Sequence, residues 1–404
     1  MATFLSRNFF ESEKKVTHQI KLDYGPGHPQ FNRTMSQLMG PPLLEGNSVT
    51  ILENGETIFP AMIEAIKSAR HTITFENFVF THGHITREFA AALEERARHG
   101  VAVHFLQDAM GCNCLRGEEM KGLQAAGGNV EIFRYMHFRF NERTHRKLLV
   151  IDGKVGFIGG VGISDEWDGC GDRPDRWRDI QYRVEGPVVA QMQQAFQDNW
   201  MQTRGEVLHG EHYFPELRPQ GDLLCQVFKS SSCEGADSAR LIFLFSIAAA
   251  RKSIRIANAY FIPDDLTIQT ILEARARGVE VEVITPSELI DQRVVRYVGR
   301  SRWESMLESG VKFYEFQPAR YHCKYMIVDE MWSCVGSCNF DNRSLRLNEE
   351  ANLNILDQSF AKAHTEIFAR DRAQSKEITL ADWHQRPLSE KVQGRAASIF
   401  RTQL

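Results

Sequence analysis

Residues 145–160 read HRKLLVIDGKVGFIGG, and residues 322–337 read HCKYMIVDEMWSCVGS. Each begins His-x-Lys, places an Asp five residues after the Lys, and reaches a small pair seven residues later, Gly159-Gly160 or Gly336-Ser337. The likeness extends outward from these blocks. TITFENFVF (72–80) pairs with SIRIANAYF (253–261), and each follows a helix-like stretch ending in Ala-Arg. ALEERARHGVAVHFL (92–106) pairs with ILEARARGVEVEVIT (271–285), and GGNVEIFRY (127–135) with SGVKFYEF (309–316). The offset stays between 177 and 182 residues throughout. A repeat of that length is a duplicated domain, not a solenoid. Each copy alternates strand-like and helix-like segments, which predicts an α/β fold with a mixed, mainly parallel sheet covered by helices. The halves are placed at 47–204 and 222–372, joined by a polar connector at 205–221. Residues 1–46 read as an N-terminal extension and 373–404 as a C-terminal tail.

The 404 residues are 43% hydrophobic and 25% charged, values of a soluble globular protein that exclude disorder and collagen-like repeats. The formal charge is −4, whereas a chain devoted to gripping nucleic acid carries a basic excess. The longest apolar run, Leu241–Ala250, is bounded by Arg240 and Arg251 and falls far short of the roughly 18 residues that span a bilayer. The first fifteen residues, MATFLSRNFFESEKK, lack the basic start and apolar block of a secretory signal, so a cytoplasmic location, or the cytoplasmic face of the membrane, is expected. The eight cysteines contain no C-x-x-C pair, which predicts reduced thiols, some buried. A zinc site at Cys112 and Cys114 has no second ligand pair to complete it.

The chemistry sits in the opening blocks. On a strand, residues two apart share a face, so His145 and Lys147 project together, as do His322 and Lys324, while LLVI and YMIV continue into the core. If the halves pack about a pseudo-twofold, both pairs meet in one cleft. That set suits a phosphodiester. The lysines offset its charge, one neutral imidazole attacks phosphorus, and the other, protonated, hands a proton to the leaving alcohol. Histidine serves both roles near neutral pH. No carboxylate cluster suggests a divalent ion, so no metal and no cofactor are expected.

These residues resemble the phospholipase D superfamily, and more narrowly the bacterial cardiolipin synthases of the short type lacking transmembrane helices. The resemblance covers about residues 45–370. It is carried by THRKLLVIDGKVGFIGGVGISDEW (144–167) with WRDIQYRVEGPVV (177–189), and by YHCKYMIVDEMWSCVGSCNFDNRSLRLNEEANLNIL (321–356). The phrase GSxNxDxRSxxxN, here Gly336 to Asn348, belongs to the synthase-like branch; AYFIP (259–263) and Arg277-Gly278-Val279 are further signatures. The resemblance implies two phospholipase D-like α/β/α halves packed about a pseudo-twofold. It also implies a phosphatidyltransferase that joins two phosphatidylglycerols into cardiolipin, releases glycerol and passes through a covalent phosphatidyl-histidine. A phospholipase D hydrolase and a phosphodiesterase acting on nucleic acid are the alternatives, the second disfavoured by the charge; a catalytically idle membrane scaffold is a third.

By the same resemblance His145 is the nucleophile, His322 the general acid and then base, and Lys147 and Lys324 hold the phosphate. Asp152 and Asp329 complete the two catalytic motifs. Ser337 and Asn339 match phosphate-binding positions, and Glu350 a carboxylate that orients a catalytic imidazole. Asp179 is its first-half counterpart, unless Trp177-Arg178-Asp179 is only a packed indole beside a surface ion pair. Gly160 and Gly162 stand where the superfamily often has Ser and Asn, and Cys323 replaces the commoner Ala. The expected partners are phosphatidylglycerol and an anionic membrane surface, with no nucleic acid, at a peripheral location on the cytoplasmic side of the cell membrane. Leu388, Val392, Ala396, Ile399 and Phe400 recur at helical spacing with Lys391, Arg395 and Arg401 among them, a pattern that either docks on the body or lies in the membrane interface. Phe9-Phe10 is a second candidate contact. Gly25-Pro26-Gly27 and Gly40-Pro41-Pro42 read as turns.

Overall fold

The duplication appears as a repeated strand order. The computed structural model describes residues 16, 18–38, 40–111, 118–133, 143–231 and 236–397. Phe9, Phe10, Cys112, Cys114, Ile399, Phe400 and Arg401 lie outside the described residues. In the first half the strands are β1 (Leu44–Glu53), β2 (Thr72–Asn77), β3 (Ala102–Asp108), β4 (Asn129–Phe133), β5 (Arg143–Thr144), β6 (Leu148–Ile151), β7 (Val155–Gly159), β8 (Trp177–Arg178) and β9 (Ile180–Glu185). The second half has β10 (Leu223–Ser230), β11 (Ser253–Asn258), β12 (Glu280–Pro286), β13 (Lys312–Phe316), β14 (Arg320–Tyr321), β15 (Lys324–Val328), β16 (Trp332–Gly336), β17 (Asn348–Leu356) and β18 (Ser375–Ile378). Their spatial orders are β1-β9-β7-β6-β2-β3-β4 and β10-β17-β16-β15-β11-β12-β13-β18, the same arrangement twice with one added edge strand. Antiparallel pairing of β1 with β10 fuses the halves into one continuous sheet.

The mixed sheet is as expected, but its prevailing direction is not. Among the named strands of the described residues, parallel pairing is confined to β2–β3–β4, β11–β12–β13 and two short ladders between the halves, and the centre is antiparallel. The reason is local. β6 turns into β7 through Asp152-Gly153, both at positive φ, with the amide of Lys154 donating to the Ile151 carbonyl. That is a tight hairpin with three residues between the paired Ile151 and Val155, which can only join antiparallel strands. Asp329-Glu330 makes the same turn between β15 and β16.

Helices cover both faces, which is why LLVI (148–151) and YMIV (325–328) are buried along their whole length instead of alternating. Helices Asn54–Ser68 and His84–Arg98 pack Ile58, Phe59, Phe89 and Leu93 against the outer face of the first half. Ala236–Ala249 and Asp265–Ala276 do so for the second. A third apolar cluster, built from Leu148, Tyr182 and Met192 of one half and Tyr325, Leu353 and Phe368 of the other, is shared between them. Residues outside the two halves also join the body. Helix Pro29–Leu38 buries Phe31 against Trp332 and Phe245, and β18 pairs with β13. Cys225, Cys323, Cys334 and Cys338 are buried free thiols.

Candidate active site

Each catalytic-motif histidine follows a two-residue strand that crosses to the other half. β5 pairs in parallel with Asn348–Glu349, and the His145 amide donates to the Glu349 carbonyl at 2.8 Å. In the mirrored arrangement β14 pairs with β8, and the His322 amide donates to the Arg178 carbonyl at 2.9 Å. Arg146, fully buried, tightens the first crossing by an ion pair to Glu349 (3.1 Å) and by donating to the carbonyls of Ser230, Ala195 and Glu350.

The residue after each partner strand is therefore delivered to the opposite histidine. Glu350 carboxylate oxygens lie 3.0 Å from His145 Nδ1, and Asp179 Oδ2 lies 2.7 Å from His322 Nδ1. A carboxylate on Nδ1 keeps the proton there and leaves Nε2 with its lone pair free. Asp179 thus faces the His322 imidazole, and Arg178 beside it forms a buried ion pair with Asp371. Trp177 is indeed packed, stacked on Trp167 at 4.9 Å.

Both histidines, Lys147 and Asn339 line one cleft of about 370 Å³, with Phe78, Trp167, Trp177, Tyr260 and the two arginines Arg143 and Arg343. Lys147 Nζ donates to the His145 carbonyl (2.8 Å) and Lys324 Nζ to that of His322 (2.7 Å), one of three protons on each ammonium. Burial, opposed by Glu350 and reinforced by Lys324, pulls Lys147 down to about 7; burial also lowers Lys324. Burial brings His145 down to about 4, against the pull of Glu350, and lowers His322 with help from Lys324. Burial alone would raise the two carboxyls, but the facing imidazoles and lysines hold both Glu350 and Asp179 below their ordinary range. At neutral pH His145 is a neutral imidazole whose Nδ1–H is donated to the ionised Glu350 carboxylate.

Three expected site residues stand elsewhere. Asp152 accepts the amides of Arg70, His71 and Thr72, and Asp329 those of Arg251, Lys252 and Ser253. Both sit at the hairpins, seven residues or about 23 Å of extended chain beyond their histidines. Their place in the catalytic set is corrected: they anchor the start of β2 and β11. Ser337, expected on the phosphate, does not line the cleft either; its hydroxyl donates to Glu350 Oε2 at 2.5 Å and accepts the Ala351 amide.

The residue that sequence reasoning missed is Trp167. Its indole Nε1 donates to Asp179 Oδ2 at 3.0 Å, the service that Ser337 gives Glu350. Gly160 and Gly162 are the signal that was available. A Cβ on Gly160 would lie 2.8 Å from Asp179 Oδ1, and one on Gly162 would lie 2.8 Å from Val79 Cβ and 3.1 Å from the Trp167 ring. Glycine at 160 leaves room for the Asp179 carboxylate, and glycine at 162 for the indole that donates to it.

Residues 62–200 and 244–372 match the family described as cardiolipin synthase, PLD-like domain. The chain belongs to that family. Among its cardiolipin synthase relatives, cardiolipin synthase A of Pseudomonas fluorescens strain SBW25 is 34% identical over 353 residues, covering 86% of this chain and 73% of the relative. Cardiolipin synthase A of Pseudomonas entomophila strain L48 is 33% identical over 356 residues, covering 87% and 74%. The crystal structure of phosphatidylserine synthase from Haemophilus influenzae Rd KW20 superposes with a TM-score of 0.67 over 92% of this chain and 99% of that one, at 16% identity, so the two share the fold. No helix among the described residues of this family member is long and apolar enough to cross a membrane.

Proposed function

We propose that the protein is a phosphatidyltransferase that makes cardiolipin and glycerol from two molecules of phosphatidylglycerol. The observation that carries this reading is the pair of imidazoles facing one cleft, each held at Nδ1 by a carboxylate from the other half. His145 Nε2 attacks phosphorus of the first lipid, and the bond to the glycerol oxygen breaks as protonated His322 supplies the proton. A phosphatidyl group is now on His145 and His322 is neutral. The terminal hydroxyl of a second phosphatidylglycerol then gives its proton to His322 and bonds phosphorus, and the P–N bond breaks. Lys147 and Lys324, each with unspent donors, offset the charge on the phosphoryl oxygens, and the Asn339 amide, whose buried Oδ1 has no hydrogen-bond partner, turns toward them. One phosphodiester is broken and one is formed, so removal of glycerol drives the exchange.

The protein reaches its substrate as a peripheral protein on the cytoplasmic face. Helix Leu388–Ala397 docks on helix Arg293–Arg300 through buried Glu390, which pairs with Arg300, and through Gly394, while Leu388 and Val392 point outward, 78% and 65% exposed. The supporting helix carries Val294, partly exposed on the wall of the cleft. This apolar edge supports contact with the bilayer beside the entrance.

Incubation of the purified protein with vesicles of labelled phosphatidylglycerol tests the reading. Cardiolipin and glycerol are the expected products. Phosphatidic acid alone would make it a hydrolase, and digestion of DNA in a parallel reaction would make it a nuclease.

A further inference from the structure

We infer that Tyr260 and Asp291 form an alcohol subsite on the second-half wall of the cleft, which binds the free hydroxyls of a glycerol headgroup and so selects the acceptor. The inference rests on the transferase reading and names the pair that chooses its alcohol. The two walls of the cleft differ. Val79 and Tyr260 are counterparts in the repeat, and both line it. The first half adds Phe78, whose ring lies 5.1 Å from that of His145 and 5.5 Å from Lys147 Nζ. The second half adds Asp291 and Gln292. The Tyr260 hydroxyl donates to Asp291 Oδ2 at 2.6 Å. Burial, reinforced by Asp291, raises Tyr260 well above the ordinary phenol range, so it keeps the proton that it donates. The turn is held from below. Asn258 Oδ1 accepts the amides of Tyr260 (3.2 Å) and Phe340 (3.1 Å), which ties Tyr260 to the loop carrying Asn339.

Of the acidic side chains that line the cleft, Asp341 caps the Ser344 amide through Oδ1. Asp291 takes one hydrogen bond, from Tyr260, and its Oδ1 has no partner among the described residues. A carboxylate repels a phosphodiester, so this end of the cleft suits the uncharged part of the lipid next to phosphorus. Burial lowers Lys324, and Asp291 is among the carboxylates that oppose the fall, so its charge reaches the phosphate-binding ammonium. A headgroup ammonium would add a second cation to a carboxylate that Lys324 already offsets. A hydroxyl adds none. It donates to Asp291 Oδ1, and a neighbouring hydroxyl donates to the Tyr260 oxygen, which keeps its lone pairs. The ligand class is thus a neutral alcohol with a hydroxyl beside the reacting one, as in glycerol. The donor's glycerol leaves from the place at which the acceptor's arrives, so one subsite serves both. Tyr260 and Asp291 take no part in bond making: the hydroxyl oxygen bonds phosphorus, the P–Nε2 bond to His145 breaks, and the proton goes to His322.

The test varies the acceptor. With phosphatidylglycerol vesicles as donor, labelled glycerol, labelled propan-1-ol and labelled ethanolamine are offered in turn. Propan-1-ol has the length of glycerol without its further hydroxyls, and ethanolamine puts an ammonium beside the reacting hydroxyl. The readout is the ratio of kcat/KM for glycerol to that for propan-1-ol, which the unmodified enzyme should hold well above one, because a site built to bind a hydroxyl rejects the analogue lacking it. Asp291→Ala should lower the ratio about ten- to a hundredfold, the fold-change that accompanies loss of a hydrogen bond to a charged group. Tyr260→Phe, which removes a neutral partner, should lower it about three- to tenfold. Both acceptors meet the same phosphatidyl-enzyme, so the ratio is unaffected by the fraction of enzyme folded. A ratio unchanged in both variants overturns the subsite while leaving the transferase intact. A preference for ethanolamine over glycerol that Asp291→Ala abolishes overturns it too, because the carboxylate would then bind an ammonium. Phosphatidic acid with no transfer to any alcohol by the unmodified enzyme would instead refute the transferase reading, and the subsite with it.

Discussion

The two halves reach the same geometry with different parts. Glu350, the longer carboxylate, holds His145 and is supported by the Ser337 hydroxyl and, at 3.4 Å, by the Asn348 amide. Asp179, one methylene shorter, holds His322 and is supported by the Trp167 indole and the Ile180 amide. His145 faces one ring, Phe78 at 5.1 Å; His322 faces two, Trp167 and Trp177 at 5.4 and 5.1 Å. What duplication kept is the carboxylate on Nδ1, and what it let drift is the second layer. The two second layers bury their imidazoles to nearly the same degree, 12% exposed for His145 and 10% for His322.

The largest expected effect separates the two imidazoles by role. His145→Ala and His322→Ala should each lower phosphatidyl transfer by about 10²-fold or more, with the double variant little worse than either, because members of one catalytic unit are not additive. A phosphatidyl donor with a p-nitrophenyl leaving group needs no acid. His322→Ala should regain p-nitrophenol release with it, and His145→Ala should not. Rescue of the His145 variant instead would exchange the roles.

Next in size is a pH effect that belongs to one lysine. Lys147 is lowered to about 7, so it is charged below that pH and loses its proton as pH rises through it. The charge that attracts the lipid phosphate is therefore full on the acid side and lost on the alkaline side. His145, down to about 4, stays neutral and nucleophilic across this range. kcat/KM, which reports the free enzyme, should fall as pH rises through about 7, and Lys147→Arg, charged at every accessible pH, should move that fall upward. A fall that stays in place in the Arg variant belongs to His322.

A smaller effect asks whether hydroxyl and indole are equivalent supports. Trp167→Phe and Ser337→Ala each remove one donor from a carboxylate, worth about 1 kcal/mol or fivefold in kcat. Equal losses mean equal service. A loss confined to Trp167→Phe, with more phosphatidic acid among the products, would show that the indole excludes water as well as supporting Asp179.

The opening blocks made the duplication, the alternation of strands and helices and both histidine–lysine pairs legible. Three things were hidden, each for a physical reason. Strand direction is not written in periodicity, so the antiparallel centre followed only from the hairpin at Asp152-Gly153. Spacing along an extended chain says how far a residue lies from another but not which end of a strand meets the cleft, and Asp152 and Asp329 were assigned to the wrong end. The exchange of Glu350 and Asp179 between halves depends on β5 and β14, ladders of two residues that no pattern reveals. The Trp167 indole had only an indirect mark, the absence of side chains at Gly160 and Gly162.

The least effect on chemistry comes from those two hairpin aspartates. Asp152→Ala and Asp329→Ala each remove a carboxylate that accepts three backbone amides, and each should cost about 2–4 kcal/mol of stability. Turnover per folded molecule should hold, as judged by denaturant unfolding beside active-site titration. A turnover loss as deep as that of the histidine variants would return them to the catalytic centre.

The carboxylate exchange also sets when, in the life of a molecule, chemistry becomes possible. His145 waits for Glu350, 205 residues downstream, and His322 takes its partner from a segment 143 residues upstream. A nascent chain with only its first half folded carries a histidine without its orienting carboxylate and a carboxylate without its histidine. A fragment cut within the connector is in the same position. On the proposed reading, phosphatidyl transfer therefore requires both halves folded and joined across the seam, and a copy holding only one half has neither imidazole–carboxylate pair complete.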